Sequence, residues 1–336
     1  MKPINVAING FGRIGRCVAR AFAVAPPEGM RLVGINSRSD AQTAAHLLKY
    51  DSTHGVLAAD VAAEEKAIIL NGTAVPYSRV GQLLQLPWQP LGVDVVLECS
   101  GIFNDAVHAA SHIQAGASKV LFSAPAKNAD LTVVYGINHQ QLTASMQAVS
   151  NASCTTNCLA PVVSVLHRAA GITSGMMNTV HSYTNDQQLL DASHKDIRRA
   201  RAGAVSMIPT KTGAAAAIGL VLPELAGKIS GTAVRVPTLN VSLVDFACTL
   251  AKPLSVEEIN SALRTAAAGE LAGVLAVSDE KLVSCDYNGR AESSIVDASL
   301  TQSDNQGLVK VFSWYDNEWG FSQRMLDTAR AMMQAR

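Results

Sequence analysis

Residues 4–16, INVAINGFGRIGR, run an apolar strand into the pattern G-x-G-x-x-G and on into a helix. In that context Gly10 permits a tight turn, Gly12 lets a diphosphate approach the backbone, and Gly15 lets helix and strand pack closely. The N–H groups opening the helix add positive partial charge for the same anion. Residues 10–15, with Phe11, Arg13 and Ile14 between the glycines, are therefore candidates for holding a dinucleotide. A glycine-rich turn in an α/β domain without a ligand is the competing reading. The next strand, RLVGI at 31–35, ends in Asn36, Ser37 and Arg38. An NAD site calls for Asp or Glu about 20 residues beyond the glycines. Serine there, with an arginine beside it, removes repulsion of a 2′-phosphate and points to NADP. The alternative is that Ser37 or Asn36 bonds the ribose and NAD remains the cofactor.

Around this motif, residues 3–150 alternate apolar strands with amphipathic helices. INVAI (4–8), RLVGI (31–35), VDVVLE (93–98), KVLFS (119–123) and TVVYG (132–136) read as buried strands. Such alternation implies a Rossmann-type doubly wound parallel sheet with both faces covered. Asn71-Gly72 signals a hairpin decorating it. The second half has longer strand-like runs at 174–184, 231–253, 282–287 and 308–316, with helices near 212–222 and 256–269. It reads as an α+β domain with a mostly antiparallel sheet. The domains are expected at 1–153 and 154–317, followed by a C-terminal helix at 318–336.

Composition narrows the function. Lys plus Arg and Asp plus Glu are 27 each among 336 residues, so no overall field favours nucleic acid or an anionic membrane. No stretch reaches the roughly 18 apolar residues of a membrane helix. The N-terminus lacks a signal-peptide pattern, and six scattered cysteines suggest a reducing compartment. A cytoplasmic protein is expected.

The segment VSNASCTTNCLAP (149–161) places Cys154 at the edge of a helix whose apolar positions 158, 159, 162, 163 and 166 recur at helical spacing. Cys154 is the candidate nucleophile, its thiol expected to be acidified by the helix N-terminus. Cys158 falls on the buried stripe as a small hydrophobe. Pro161 is expected early enough in the helix for its missing N–H to cost little. The surroundings offer no further ligand pair for zinc, and the spacing is not C-x-x-C. His181, near the end of an apolar strand, is a candidate base, with a purely structural role as the alternative. Cysteine-peptidase chemistry also stays open. Arg235 lies amid strand residues and needs a buried partner or an anion. Arg199 belongs to a basic run, HKDIRRARAG, that is either a solvated face or a phosphate site.

Taken together, INGFGRIGR, HLLKYDS, SNASCTTNCLAP, HSYTNDQ, HKDIRRARA, RVPT and WYDNEWG resemble the phosphorylating glyceraldehyde-3-phosphate dehydrogenase family, in the family's order and over nearly the whole chain. The resemblance implies oxidation of D-glyceraldehyde 3-phosphate to 1,3-bisphosphoglycerate with NAD or NADP and inorganic phosphate. Cys154 would form a thiohemiacetal and then a thioester, with His181 as base. Thr184 and Arg235 would hold the substrate phosphate. Ser153, Thr155, Thr212, Gly213 and Arg199 would hold the attacking phosphate. Arg13 and Ile14 would meet the cofactor diphosphate, Ser123 would lie along the cofactor, and Asn317 would bond the nicotinamide amide. Residues 186–209 would reach a neighbouring subunit in a homotetramer, and the last helix would return to the first domain.

Four departures stand out. NAD-specific members usually carry Asp where Ser37 stands, and their Leu-Pro pair is Ala192-Ser193 here, resembling the dual-specificity photosynthetic branch. Ala216 replaces a common Lys, and Arg79 stands in a segment shifted from the usual adenine-contacting Arg. Erythrose-4-phosphate dehydrogenase, a non-phosphorylating sister in pyridoxal phosphate biosynthesis, shares the cysteine and histidine and is the alternative. A non-enzymatic dinucleotide sensor would need no Cys154, His181 and Arg235 together.

Overall fold

The structure, a computed structural model, describes residues 2–336. The chain forms two compact units, residues 1–153 with 322–336 and residues 154–321.

In the first unit a nine-stranded sheet is ordered Leu131–Thr132, Ala148–Ser150, Lys119–Phe122, Val95–Glu98, Ile4–Asn9, Met30–Asn36, Thr73–Ser78, Ala67–Leu70 and Val61–Glu64. The first seven pair in parallel and the last two turn antiparallel. Val6, Ala7 and Ile8 are fully buried, as a central parallel strand between two helix layers requires. Strand order reverses on either side of Ile4–Asn9, so the crevice at its C-terminal end is a topological switch point, where α/β sheets bind ligands. The hairpin expected at Asn71-Gly72 joins two strands of this sheet, with φ of 47° and 78° at its tip, the left-handed pair that a two-residue hairpin demands.

Two strand expectations need correction. Of TVVYG only Thr132 is in a strand. Val133 and Val134 are buried instead in a turn closed by the Asn138 side chain, whose Oδ1 accepts from Val134 N at 2.8 Å. The edge strand is Leu131–Thr132 beside Ala148–Ser150, both too short to show a period. In the second unit LVSCDY forms a short 3-10 turn, Ser284–Tyr287; Asp286 accepts from Val283 N at 2.8 Å and draws the chain out of extension.

The second unit's sheet is ordered Ile208–Lys211, Ile229–Val236, Ile172–Ser182, Ser242–Leu250, Leu308–Tyr315, Ser294–Asp297 and Leu275–Ser278. It is antiparallel except for two pairings, Ile172–Ser182 with Ile229–Val236 and Leu275–Ser278 with Ser294–Asp297. Three helices pack in this unit: Cys154–Ala170, Ala214–Val221 and Val256–Ala268. The last opens on the expected capping box, Ser255 with Glu258. Gly171, at φ 71°, ends the first with its N–H on the His167 carbonyl. Pro161 is the eighth residue of that helix, past the first turn, so it removes a bond to the Asn157 carbonyl and the early placement is wrong. Burial of almost the whole segment from Thr155 to Leu166 offsets that loss.

The final helix, Trp319–Gln334, has its residues from Ser322 onward in the first unit. Buried Lys119 fastens its last turn: Nζ donates to the Met332 carbonyl at 2.8 Å and to the Thr143 carbonyl at 3.5 Å. An ammonium is the natural partner for the unpaired carbonyls closing a helix. Lys119→Met keeps the stem and deletes the donor, leaving buried acceptors unpaired at about 1–3 kcal/mol. Amide exchange in the last turns of this helix is expected to accelerate by about 5- to 150-fold, measured by mass spectrometry, while the second unit's sheet exchanges unchanged.

Candidate active site

Four elements of the second unit converge on Cys154. The turn before it is forced: Ala152 holds φ 56°, an uncommon conformation for a residue with a Cβ. Its N–H bonds the Ser150 hydroxyl at 3.1 Å, which donates to the Ala124 carbonyl. The chain then enters the helix with Cys154 as first residue. Its Sγ lies 3.5 Å from His181 Nε2.

His181 sits next to the end of Ile172–Ser182 and is in register with Arg235 of Ile229–Val236. The His181 Nδ1 is 2.7 Å from the Ser182 carbonyl. A carbonyl only accepts and the neighbouring Arg235 guanidinium only donates, so Nδ1 can bond one of the two; in the tautomer that donates to the Ser182 carbonyl, Nδ1 carries the proton and Nε2 keeps its lone pair toward the thiol. Arg235 Nη1 donates to the same carbonyl at 3.0 Å and touches Nδ1 at 2.8 Å. Burial, then the Arg235 charge beside it, lowers the His181 pKa to about 3. The imidazole is therefore neutral at ordinary pH and available as a base.

The acidified thiol expected from the helix N-terminus is not what the geometry yields. Burial pushes the Cys154 thiol up, and Arg235 and the Thr155 hydroxyl and N–H only partly oppose it. The resting thiol therefore keeps its proton, with His181 Nε2 the neighbouring nitrogen that faces it. Burial likewise raises Cys158 to about 12, and its Sγ faces the Ser294 hydroxyl and the Ser313 carbonyl. The two thiols are thus an approachable one and a core one.

Tyr315 was not singled out in the sequence beyond its WYDNEWG cluster. It is buried, its hydroxyl lies 2.8 Å from both Thr155 Oγ1 and Thr179 Oγ1, and its ring stands edge-on to His181 at 5.9 Å. It ties the helix that begins at Cys154 to the strand that carries His181. The Thr155 hydroxyl is engaged here. Asn317 Oδ1 accepts from Ser182 Oγ and Ser242 Oγ at 3.0 and 2.9 Å, leaving Nδ2 as its outward donor.

The cationic residues surround this centre. Arg235 Nε is buried with no partner among the described residues, a donor awaiting an anion. Arg199 Nε donates to Thr210 Oγ1 at 2.9 Å, its Nη1 pairs with Asp186, and its charge is felt at His181 and Arg235. Thr184 borders the same loop, its N–H donating to Gln187 Oε1 at 3.0 Å. Thr212 and Gly213 open the helix Ala214–Val221, with Thr212 Oγ1 accepting from Ala214 N at 3.2 Å. Ser153, the residue before Cys154, is half-buried.

The first unit supplies a separate cavity of about 260 Å³ at the switch point, lined by Gly10, Phe11, Gly12, Ser37, Arg38 and Ser100 among others. Gly10 has φ 96°, and a Cβ there would lie 2.4 Å from Ser100 N. A Cβ on Gly15 would meet the Gly10 carbonyl at 2.2 Å, whereas one on Gly12 would project into open space. These are the features expected of a turn that admits a diphosphate: two glycines demanded by packing and a third by room for a ligand. Ser123 N donates to the Glu98 carbonyl near this end of the sheet.

Three of the candidate cofactor residues are placed differently from expectation. The Asn36 amide is saturated by Asn9, Ser78 and the Val80 backbone, which removes it as a ribose ligand. Arg79 is exposed, donates to the Arg38 carbonyl at 3.2 Å, and lines another groove with Asp40, Glu64 and Lys66. The Arg13 guanidinium is held by Asp51 at 2.5 and 3.0 Å, leaving its backbone N–H as its means of reaching a diphosphate. Burial works against the Asp51 charge, but Arg13 and the His54 and Thr53 N–H groups hold its carboxyl well below the usual range.

Residues 4–106 match the family description glyceraldehyde 3-phosphate dehydrogenase, NAD binding domain, and residues 153–317 match its C-terminal domain. The chain belongs to the glyceraldehyde-3-phosphate dehydrogenase family. A plasmid-encoded glyceraldehyde-3-phosphate dehydrogenase of Cupriavidus necator is 53% identical over 335 residues, 99% of each chain. That of Pseudomonas aeruginosa is 54% identical over 334 residues, again 99% of each, and that of Geobacillus stearothermophilus 54% over 327 residues, 97% of each. The first unit is accordingly the family's NAD-binding module, and no helix among the described residues is long and apolar enough to cross a membrane.

The depressed pKa of His181 has a measurable consequence. An unfolded histidine binds a proton near pH 6.5, whereas folded His181 does so only near 3. Between those values the unfolded state holds more protons, so this residue makes stability fall as pH drops from about 6.5 toward 3. His181→Asn is expected to flatten that part of the curve, read as the urea midpoint against pH for variant and parent.

Proposed function

We propose that this chain catalyses the phosphorylating oxidation of D-glyceraldehyde 3-phosphate to 1,3-bisphosphoglycerate. The observation that carries the reading is the Cys154 thiol at 3.5 Å from a neutral imidazole, beside an arginine whose buried Nε lacks a partner. As the sulfur bonds to the aldehyde carbon, its proton passes to His181 Nε2, and the imidazolium protonates the aldehyde oxygen to give a thiohemiacetal. His181 is then neutral again and takes that hydroxyl proton as the carbon is oxidised to the thioester. Bound dinucleotide supplies the acceptor for the hydride leaving that carbon. A phosphate oxygen attacks the thioester carbonyl, the C–S bond breaks, and the Cys154 sulfur recovers a proton from His181. A thioester suits this because it retains acyl-transfer potential.

Arg235 and Thr184 hold the substrate phosphate in this scheme, and Arg199, Ser153, Thr155, Thr212 and Gly213 the attacking one. Gly10, Gly12, Gly15 and the backbone of Arg13 and Ile14 hold the dinucleotide diphosphate, with Ser123 and Asn317 further along the cofactor. Ser37 and Arg38 at the cavity rim, with Ala192 and Ser193 in the loop, support use of NADP beside NAD. Assembly as a homotetramer through 186–209 is supported by that loop's exposed Leu189, Leu190, Ile197, Val205 and Met207, more apolar side chain than a solvated loop normally shows.

Initial rates with the aldehyde phosphate, with each dinucleotide and with or without inorganic phosphate, test the reading. Strong phosphate dependence is expected; phosphate-independent turnover that is faster on erythrose 4-phosphate overturns it. Arg235→Leu is expected to raise KM for the aldehyde by about 30-fold or more, the loss of a charge-assisted pair worth about 2 kcal/mol. Ser37→Asp is expected to shift the NAD over NADP preference by at least about tenfold toward NAD, through repulsion of the 2′-phosphate.

A further inference from the structure

Beneath the dinucleotide cavity lies a buried polar chain that the scheme above does not use. Trp88, His112, Glu98, Asn9 and Asn36 are each at most 6% exposed. Trp88 Nε1 is 2.9 Å from His112 Nδ1. Indole nitrogen only donates, so Nδ1 accepts and the His112 proton sits on Nε2. That nitrogen is 3.0 Å from Glu98 Oε2. From the other side, Ser78 Oγ and Val80 N donate to Asn36 Oδ1, Asn36 Nδ2 to Asn9 Oδ1 at 2.8 Å, and Asn9 Nδ2 to Glu98 Oε2 at 2.6 Å. Ser100 N donates to Glu98 Oε1 at 2.8 Å. Two chains of donors therefore converge on one carboxylate.

The geometry points to Glu98 as a positioning residue for the dinucleotide. The carboxylate ties together three points that border the cavity: the strand end at Asn9, through it the strand end at Asn36, and Ser100 in the loop that follows Val95–Glu98. It holds Ser100 N at the spot where a Cβ on Gly10 would collide, so the narrowness that demands glycine is itself set by this acceptor. Three donors, Asn9 Nδ2, His112 Nε2 and Ser100 N, satisfy the Glu98 side chain; the indole fixes the polarity of one chain and the Val80 N–H that of the other. A glutamine cannot replace it, because its NH2 must face either Ser100 N–H or the pair of donors from Asn9 and His112.

The inference rests on the proposed dinucleotide role of this cavity. The test is NAD titration by calorimetry on the full chain, beside KM for NAD and for the aldehyde. Glu98→Gln is expected to raise Kd and KM for NAD at least tenfold, with KM for the aldehyde within twofold. His112, which does not line the cavity, gives a second probe. His112→Leu removes one donor and strands the Trp88 N–H, and should weaken NAD binding severalfold. His112→Gln can accept from Trp88 and donate to Glu98, and should bind NAD within twofold of the parent. If Glu98→Gln does not fold, the His112 pair decides. NAD affinity unchanged in both Glu98→Gln and His112→Leu overturns the assignment, as does a loss that is equal in His112→Leu and His112→Gln. A parent chain that does not bind NAD at all overturns the cofactor reading first and this one with it.

Discussion

Parallel pairing of Ile172–Ser182 with Ile229–Val236 sets His181 opposite Arg235, and the reactive centre follows from that register. Side chains alternate faces along a strand, so a slip of one residue would send one of the two to the other side of the sheet. With the register fixed, the Ser182 carbonyl receives both the imidazole N–H and the guanidinium, and the remaining imidazole nitrogen has one direction left, toward Cys154. The antiparallel neighbour contributes in the same way: Ser242 is in register with Tyr315, which aligns the hydroxyls reaching Asn317, Thr155 and Thr179.

Burial and charge then compete at the centre. A helix N-terminus favours a thiolate, yet Cys154 is enclosed deeply enough for desolvation to win. The same enclosure, reinforced by Arg235, keeps His181 unprotonated. Thiol and imidazole are thus both held in neutral forms, and the proton rests on the sulfur.

Much of this was legible in the sequence because it rests on local rules. The glycine turn, the Asn71-Gly72 hairpin, the Ser255–Glu258 box and the helix starting at Cys154 each follow from residues within a few positions of one another. Reading failed where distant partners decide. Asn36 looked like a ribose ligand, but Asn9 and the segment at 78–80 claim its amide. The Arg13 guanidinium belongs to Asp51, 38 residues on, a pairing that the glycine motif does not display. Tyr315 lay inside a visible cluster, yet its role needs threonines 160 and 136 residues away in the chain. The strand expected at 132–136 was lost to a side chain capping a turn, a competition that hydrophobicity does not reveal.

The saturation of Asn36 separates two neighbours with different fates. Asn36 is committed to the interior, whereas Ser37 and Arg38, immediately after it, line the cavity and, among the described residues, are bonded through their backbone N–H and carbonyl respectively. Substitution at these two positions therefore leaves the hydrogen bonds of the sheet beneath in place, so the cavity rim can vary while the fold under it stays fixed.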